Sequence, residues 1–439
     1  MTAETHPERA ATAILSSESP DLDVPQDQAP PTRGALALLG VFRHRNYRLF
    51  FAGQLVSLMG TWVTNVAQAW LVYSLTHSTV LLGLTSFCSQ IPVFFLSPFG
   101  GHLADRFDRR RLMMVTQALA CLQSAALAVL VLGGWVTAGE IVGLALLQGF
   151  INAFDVPARQ GLTMELVGGK EDLRDAISLN SMMFNLARIV GPSLAGILIA
   201  LVGTGWCFAL DALSYSAVIV SLARMRFAPP GPRRPDNVLR SVVSGFVYVG
   251  RHKEIRASLL LIACGSMFGA SYMSMLPAFA RDVLHQGSTG FGFLYGAVGA
   301  AAILGGYLLA RVPDRHLFKM PVVAMLMFGL SLILFSRSQS YWLCFALLMP
   351  AAMGMMLLGG ATNSIVQLLA REDMRGRVVA FYAMCALGMM PWGSLLLGWL
   401  ADRLGVADAI LLGGVCCLLA GLLAWYDRRG ENWKMQPAE

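Results

Sequence analysis

Charge is what this chain has least of. Asp, Glu, Lys and Arg make up 13% of its 439 residues, while 56% are hydrophobic. Soluble domains carry about 25% charged residues, and a soluble fold this poor in polar side chains could not cover its own core. Long stretches of about 20 residues lack charge altogether, each enough to cross a bilayer as a helix. Other absences narrow the function. There is no Gly-x-x-x-x-Gly-Lys-Ser/Thr loop to cradle nucleotide phosphates, which excludes that route to ATP drive. The seven histidines (6, 44, 77, 102, 252, 285 and 316) lie in tails, loops or span ends, without zinc-binding or catalytic spacing. The eight cysteines (88, 121, 207, 264, 344, 385, 416 and 417) all fall in apolar runs and read as packing residues, with no disulfide framework. No nucleophile, base and metal set converges, so an enzyme is not expected. No secretory leader precedes the first apolar run. Residues 1–46 are polar, with Pro20, Pro25, Pro30 and Pro31, and read as a disordered tail.

What is present is a polytopic all-α membrane pattern. Twelve spans can be read, from about 49–73 to about 407–426; the fourth and tenth are expected to run on into polar, irregular ends. The net charge of +7 fits topology better than a nucleic-acid surface. With a cytoplasmic N-terminal tail, 28 of the 33 lysines and arginines fall on the cytoplasmic side, and only Arg281, Arg337 and Arg403 fall in outer loops. Both termini are therefore expected in the cytoplasm. The domains expected are a tail (1–46), an N-terminal six-helix bundle (47–224), a linker (225–256), a C-terminal six-helix bundle (257–427) and a second tail (428–439). In the linker, Pro229, Pro230, Pro232 and Pro235 exclude helix. Leu239, Val242, Val243, Phe246 and Val249 then form one apolar stripe, either a helix on the inner leaflet or a plain connector.

The halves echo each other. Lys170-Glu171-Asp172-Leu173-Arg174 matches Arg371-Glu372-Asp373-Met374-Arg375 at a shift of 201, and Gly191-Pro192-Ser193-Leu194-Ala195-Gly196 matches Gly393-Ser394-Leu395-Leu396-Leu397-Gly398 at a shift of 202. One inserted residue separates the two blocks. A repeat of six plus six spans puts a substrate site at the midplane between halves, opened alternately by rocking.

Between the second and third spans the chain reads Gly101-His102-Leu103-Ala104-Asp105-Arg106-Phe107-Asp108-Arg109-Arg110-Arg111. This resembles the loop signature of the major facilitator superfamily, Gly-x-Leu-Ala-Asp-Arg-x-Gly-Arg-Arg/Lys, with Asp108 in place of the second Gly. Three further segments resemble its enterobactin-exporter-like branch, the transmembrane secretion effectors. They are Arg45-Asn46-Tyr47-Arg48-Leu49-Phe50, Asp155-Val156-Pro157-Ala158-Arg159-Gln160 and Asn185-Leu186-Ala187-Arg188-Ile189-Val190-Gly191-Pro192. The similarity covers about residues 41–427. It implies the major facilitator fold and export of drugs, macrolides or siderophores by proton antiport. Two departures stand out. Ala145 occupies the place of the Arg in the Arg-x-x-Gln-Gly pattern of span four, and Ala195 replaces one Gly of the span-five motif, which also lacks upstream glycines.

Gly101, Asp105, Arg106 and Arg109 read as a gating loop, with Asp155 as a partner for Arg109. Asp105 would favour the positive end of a neighbouring helix, and the resemblance implies that this helix is span eleven. The alternative is a topology marker alone. The C-half counterpart, Gly305 to Arg311, lacks the Asp, so the latch would be one-sided. Arg188 lies roughly 16 Å into span five at 1.5 Å per residue, where a charge needs an aqueous cavity or a partner. Asp211 in span six is the expected partner, the pair serving either coupling or packing. Gln54, Thr61, Asn65 and Gln68 form a polar stripe on span one, which the resemblance makes cavity-lining. Asn65, Gln68, Asn185 and Tyr272 are the substrate-cavity candidates, interhelical hydrogen bonding being the alternative for the stripe. Gly191, Pro192 and Gly196 are the packing motif. The 23 methionines and 23 phenylalanines suit either a deformable pocket or ordinary packing.

The sequence therefore reads as an inner-membrane exporter of an amphipathic small molecule, monomeric and in contact with lipid. It needs no cofactor beyond a proton gradient, no metal and no nucleic acid. A lipid or lysolipid flippase of the same fold, and a non-transporting sensor or scaffold, are the competing functions.

Overall fold

The computed structural model describes residues 39–167, 170–225, 248–250, 252–372 and 374–427; the side chains of Leu39, Pro98, Asp105, Met164, Lys170, Glu171, Asp314 and Arg315 also lie outside the description. Most of the expected N-terminal tail, the C-terminal tail and the linker stripe through Phe246 fall outside it. Twelve helices are long and apolar enough to cross a membrane. In chain order they are α1 Arg45–Thr76, α2 Thr79–Arg106, α3 Arg109–Leu132, α4 Ala138–Glu165, α5 Lys170–Val202 and α6 Thr204–Arg224, then α7 Lys253–Val283. There follow α8 Ser288–Leu309, α9 Met320–Arg337 and α10 Tyr341–Leu369, α11 Arg375–Leu404 and α12 Val406–Asp427. No strand occurs among the described residues.

Local chemistry sets the ends. The Ser78 hydroxyl caps α2 by accepting from the Leu81 amide at 3.3 Å, and Asp108 caps α3 by accepting from the Arg110 amide at 2.9 Å. Thr137 and Glu140 close a reciprocal capping box on α4. Gly203 (φ 86°) and Gly405 (φ 92°) make the turns after α5 and α11, in a backbone region open to glycine and strained for other residues. These two glycines are 202 positions apart, the shift of the downstream repeat. The expected irregular ends of spans four and ten are instead helical, through Glu165 and Leu369. Polar residues there continue the helix because backbone bonds are satisfied within it.

The two halves pack alike. In the first, α2 lies on α4, α3 on α4 and α6, and α1 on α5 and α6. In the second, α8 lies on α10, α9 on α10 and α12, and α7 on α11 and α12. The halves meet along two seams, α2 against α11 and α5 against α8. Two spans depart from regular helix. α7 contains π-type turns at Gly265–Ala270 and Phe279–Val283, each of which widens the helix locally. α11 is interrupted at Met389, between Arg375–Gly388 and Met390–Leu404. The break lies between the two repeat blocks of the second half, where the repeat shift changes from 201 to 202.

Candidate functional site

The seams are built from the repeat. Gly196 of α5 faces Gly292 of α8, and a methyl group on Gly196 would come within 2.6 Å of the Ser288 carbonyl oxygen. Gly398 of α11 faces Gly83 of α2 in the same way, and a methyl group there would come within 2.6 Å of the Thr79 carbonyl oxygen. Each contact carries the same hydrogen bond: Ser288 Oγ donates to the Gly196 carbonyl at 3.1 Å, and Thr79 Oγ1 to the Gly398 carbonyl at 2.9 Å. Small residues let helix backbones approach this closely inside a membrane. Tyr73 Oη also donates to the Asp282 carboxylate across the halves, and the Ser86 and Ser394 hydroxyls lie 3.4 Å apart. Among the described residues, the hydrogen bonds between halves all lie toward the end opposite the α2–α3 loop. A methyl group on Gly191 would come within 2.5 Å of Trp62 Cβ on α1. Gly83, Thr79, Tyr73 and Asp282 were not singled out in the sequence; comparing Thr79–Gly83 with Ser288–Gly292 at a shift of 209 would have found the first two.

Arg188 is half-buried on α5, the helix that forms one seam with α8. The spacing Ser181, Asn185, Arg188 places the three on one face of α5, while Val190, Ile197 and Leu201 are exposed elsewhere on the helix. Arg188 makes no hydrogen bond or ion pair among the described residues. Its charge lies within electrostatic reach of the Tyr272 and Tyr295 hydroxyls. Aromatic rings flank it: Trp62 of α1 sits 6.1 Å from Phe184 and 6.2 Å from Tyr295, centroid to centroid, and Trp70 stacks on Phe291 at 5.9 Å. Trp62, Phe184 and Tyr295 escaped the sequence reading because aromatics are common in spans and carry no periodic signal. Among the other expected cavity residues, Asn65 is exposed and Gln68 donates to the Ile141 carbonyl at 3.4 Å. Asn185 donates to Ser181 one turn back, and Tyr272 is 3% exposed with an unpartnered hydroxyl. Of the rest of the stripe, Thr61 bonds the Ser57 carbonyl, and Gln54 is buried with its amide nitrogen unpartnered.

The expected Arg188–Asp211 pair does not form. Asp211 is 1% exposed and is held inside the first half by the Ser124 hydroxyl at 3.1 Å and the Ser214 hydroxyl at 3.2 Å. α1 packs over it at Gly60, where a methyl group would come within 2.5 Å of Asp211 Oδ1. Asp211 thus lies against α1 and α3, on a different side of the first half from Arg188. Nor does Arg109 pair with Asp155. Asp155 accepts from Thr116 at 2.7 Å and Gln117 at 2.9 Å and pairs with Arg159, one turn on, at 3.3 Å. Arg109 instead donates to the Ala104 and Gly161 carbonyls at 3.1 and 2.8 Å and meets Glu165 at 3.2 Å. Arg109 lies at the start of α3, so its guanidinium meets the last turn of α4, whereas Asp155 faces α3 residues two turns deeper. The Asp105 side chain lies outside the described residues. Gly101 leaves open space where a Cβ would be, and Arg106 is exposed. The described bonds of this loop bind it to α4 and α6 of its own half, Arg110 donating to the Leu222 and Ala223 carbonyls.

A family model described as transmembrane secretion effector matches residues 36–437. The chain belongs to this family. It is a transporter of the major facilitator type, in agreement with the loop signature and the twelve helices, and not an enzyme. Among similar proteins, the staphyloferrin A transporter of Staphylococcus aureus is 25% identical over 401 residues, spanning 89% of this chain and 98% of that one. The multidrug efflux pump Tap of Mycolicibacterium fortuitum is 28% identical over 379 residues, 83% of this chain and 91% of that one. The enterobactin exporter EntS of Shigella boydii is 26% identical over 262 residues, 60% of this chain and 62% of that one. In fold, this transporter resembles a bacterial homologue of the human lysosomal transporter Spinster, solved inward-facing and unoccupied, with a TM-score of 0.72 and 13% identity over 90% of this chain and 99% of that one. The nucleoside transporter NupG gives a TM-score of 0.67 with 12% identity, over 87% of this chain and 99% of that one.

Proposed function

We propose that this transporter exports an amphipathic small molecule of the drug or siderophore class across the plasma membrane by alternating access. The observation that carries the reading is the pair of glycine seams that join the halves at one end, beside an arginine, Arg188, that makes no hydrogen bond or ion pair among the described residues. An end sealed by few, small contacts suits a carrier that rocks. The arginine distribution assigns the loop end to the cytoplasm, so the state described here faces inward, with both termini cytoplasmic. The named cargoes of the relatives, staphyloferrin A, enterobactin and multiple drugs, agree with an organic cargo of this kind. The test is accumulation of a compound panel in cells with and without the gene, repeated with a protonophore. Lower accumulation with the gene, reversed by the protonophore, is expected; unchanged accumulation across the panel together with flat proton flux would falsify the proposal.

Proton antiport is assigned to Asp211. Its carboxyl is buried among hydroxyls without a cation among the described residues. A buried ionisable group of this kind inside a membrane marks a proton or ion path. Asp211→Asn retains the hydrogen-bonding shape and loses the exchangeable charge. The expected result is a protein present at wild-type level whose residual export no longer responds to the protonophore. Continued protonophore-sensitive export by this variant moves the coupling site elsewhere.

A further inference from the structure

Resting on the exporter reading, we propose that Arg188, Tyr272 and Tyr295 form an anion subsite that selects a carboxylate, phenolate or sulfonate on an aromatic cargo. A guanidinium presents five N–H donors and is expensive to hold in an apolar layer without a partner. Arg188 has none among the described residues, although it lies between α1 and α8 where two phenols are close. Three acidic candidates in the spans are engaged elsewhere: Asp211 by Ser124 and Ser214, Asp282 by Tyr73, and Asp155 by Arg159. The Tyr272 hydroxyl gives the second, independent observation. It is buried and unpartnered, while its ring is fixed by Phe328 at 6.5 Å and Phe335 at 6.3 Å. A buried phenol in this state is a hydrogen-bond donor without an acceptor. One bound anionic group would satisfy both the guanidinium and this donor. Phe184 lies one turn before Arg188 on α5 and packs with Tyr295 on either side of Trp62, so the apolar part of an aromatic anion has edges and faces to pack on. A cationic cargo would meet uncompensated repulsion from Arg188 at the same place, which makes the subsite a selector as well as a binder.

Two fluorescent probes with one ring skeleton test this: anionic 8-anilinonaphthalene-1-sulfonate and neutral N-phenyl-1-naphthylamine. Each is titrated against the full chain in lipid nanodiscs, with protein-free nanodiscs as the blank. The wild type is expected to bind the anion about tenfold tighter than the neutral probe, the worth of a charge-assisted hydrogen bond. Arg188→Gln should remove about that factor for the anion and leave the neutral probe unchanged, which also shows that the variant is folded. Arg188→Lys should keep part of the preference, and Tyr272→Phe should weaken the anion alone by a few-fold. Equal binding of the two probes by the wild type, or an Arg188→Gln loss that is the same for both, overturns the subsite. Export in cells separates this from the broader reading. Arg188→Gln cells that still export neutral or cationic compounds while the anion preference proves absent leave the exporter standing without the subsite. A wild type that selects the anion yet exports nothing sinks the exporter reading alone.

Discussion

Arg188→Ala is expected to abolish export of anionic cargo while the protein still inserts and accumulates. An arginine at mid-membrane costs at least about 2.5 kcal/mol even on insertion scales, so its removal relieves a cost to folding. No hydrogen bond or ion pair of Arg188 is lost among the described residues, and Gly299 of α8 packs against its backbone, a methyl group there reaching to 2.7 Å from the carbonyl oxygen, which the substitution leaves in place. A purely structural arginine would show the opposite pattern, with less protein and normal export per molecule. The measurement is compound accumulation normalised to protein in isolated membranes. Full export per molecule by Arg188→Ala would remove this side chain from the mechanism.

A covalent bridge across one seam is expected to stop transport reversibly. The Ser86 and Ser394 hydroxyls lie 3.4 Å apart between α2 and α11, so cysteines at these two positions would hold their sulfurs on facing sides of the seam. Ser86→Cys with Ser394→Cys, in a chain whose eight native cysteines are replaced, should export normally when reduced. Oxidation should take export to background and a reductant should restore it, because this end must part once per cycle under alternating access. Each single cysteine variant should be indifferent to oxidant. Full export by a demonstrably bridged protein would mean that the seam does not open, and rocking would have to be abandoned.

Much of the fold was legible before any coordinates. Span number followed from uncharged length, and the repeat blocks fell on α5 and α11. Even the one-residue slip between them has a physical counterpart in the interruption of α11 at Met389. What failed were the pairings. Arg188 with Asp211, and Arg109 with Asp155, were joined by charge and depth along the helix axis. Neither criterion contains the rotation of a helix about that axis, which decides whether two side chains meet. Arg188 turns toward α7 and α8, and Asp211 toward α1 and α3. The aromatic wall was illegible for another reason: Trp62, Phe184 and Tyr295 come from three helices, two in one half and one in the other, and only the packing of the halves brings them together.

The glycine seams have a thermodynamic consequence. Folding or docking a long side chain costs rotamer entropy, and glycine has none to lose. The seamed end therefore closes without freezing many torsions at the glycines, and what it gains there is a few hydroxyl-to-carbonyl bonds and backbone contacts beside the Tyr73–Asp282 bond. A closure with small terms on both sides sits near balance. Moving such an equilibrium from 1:99 to 99:1 takes about 5.5 kcal/mol of differential binding, a sum within reach of one organic cargo. Under alternating access, the absence of side chains at Gly83, Gly196, Gly292 and Gly398 would keep the two ends of the cycle close enough in free energy for the cargo to choose between them.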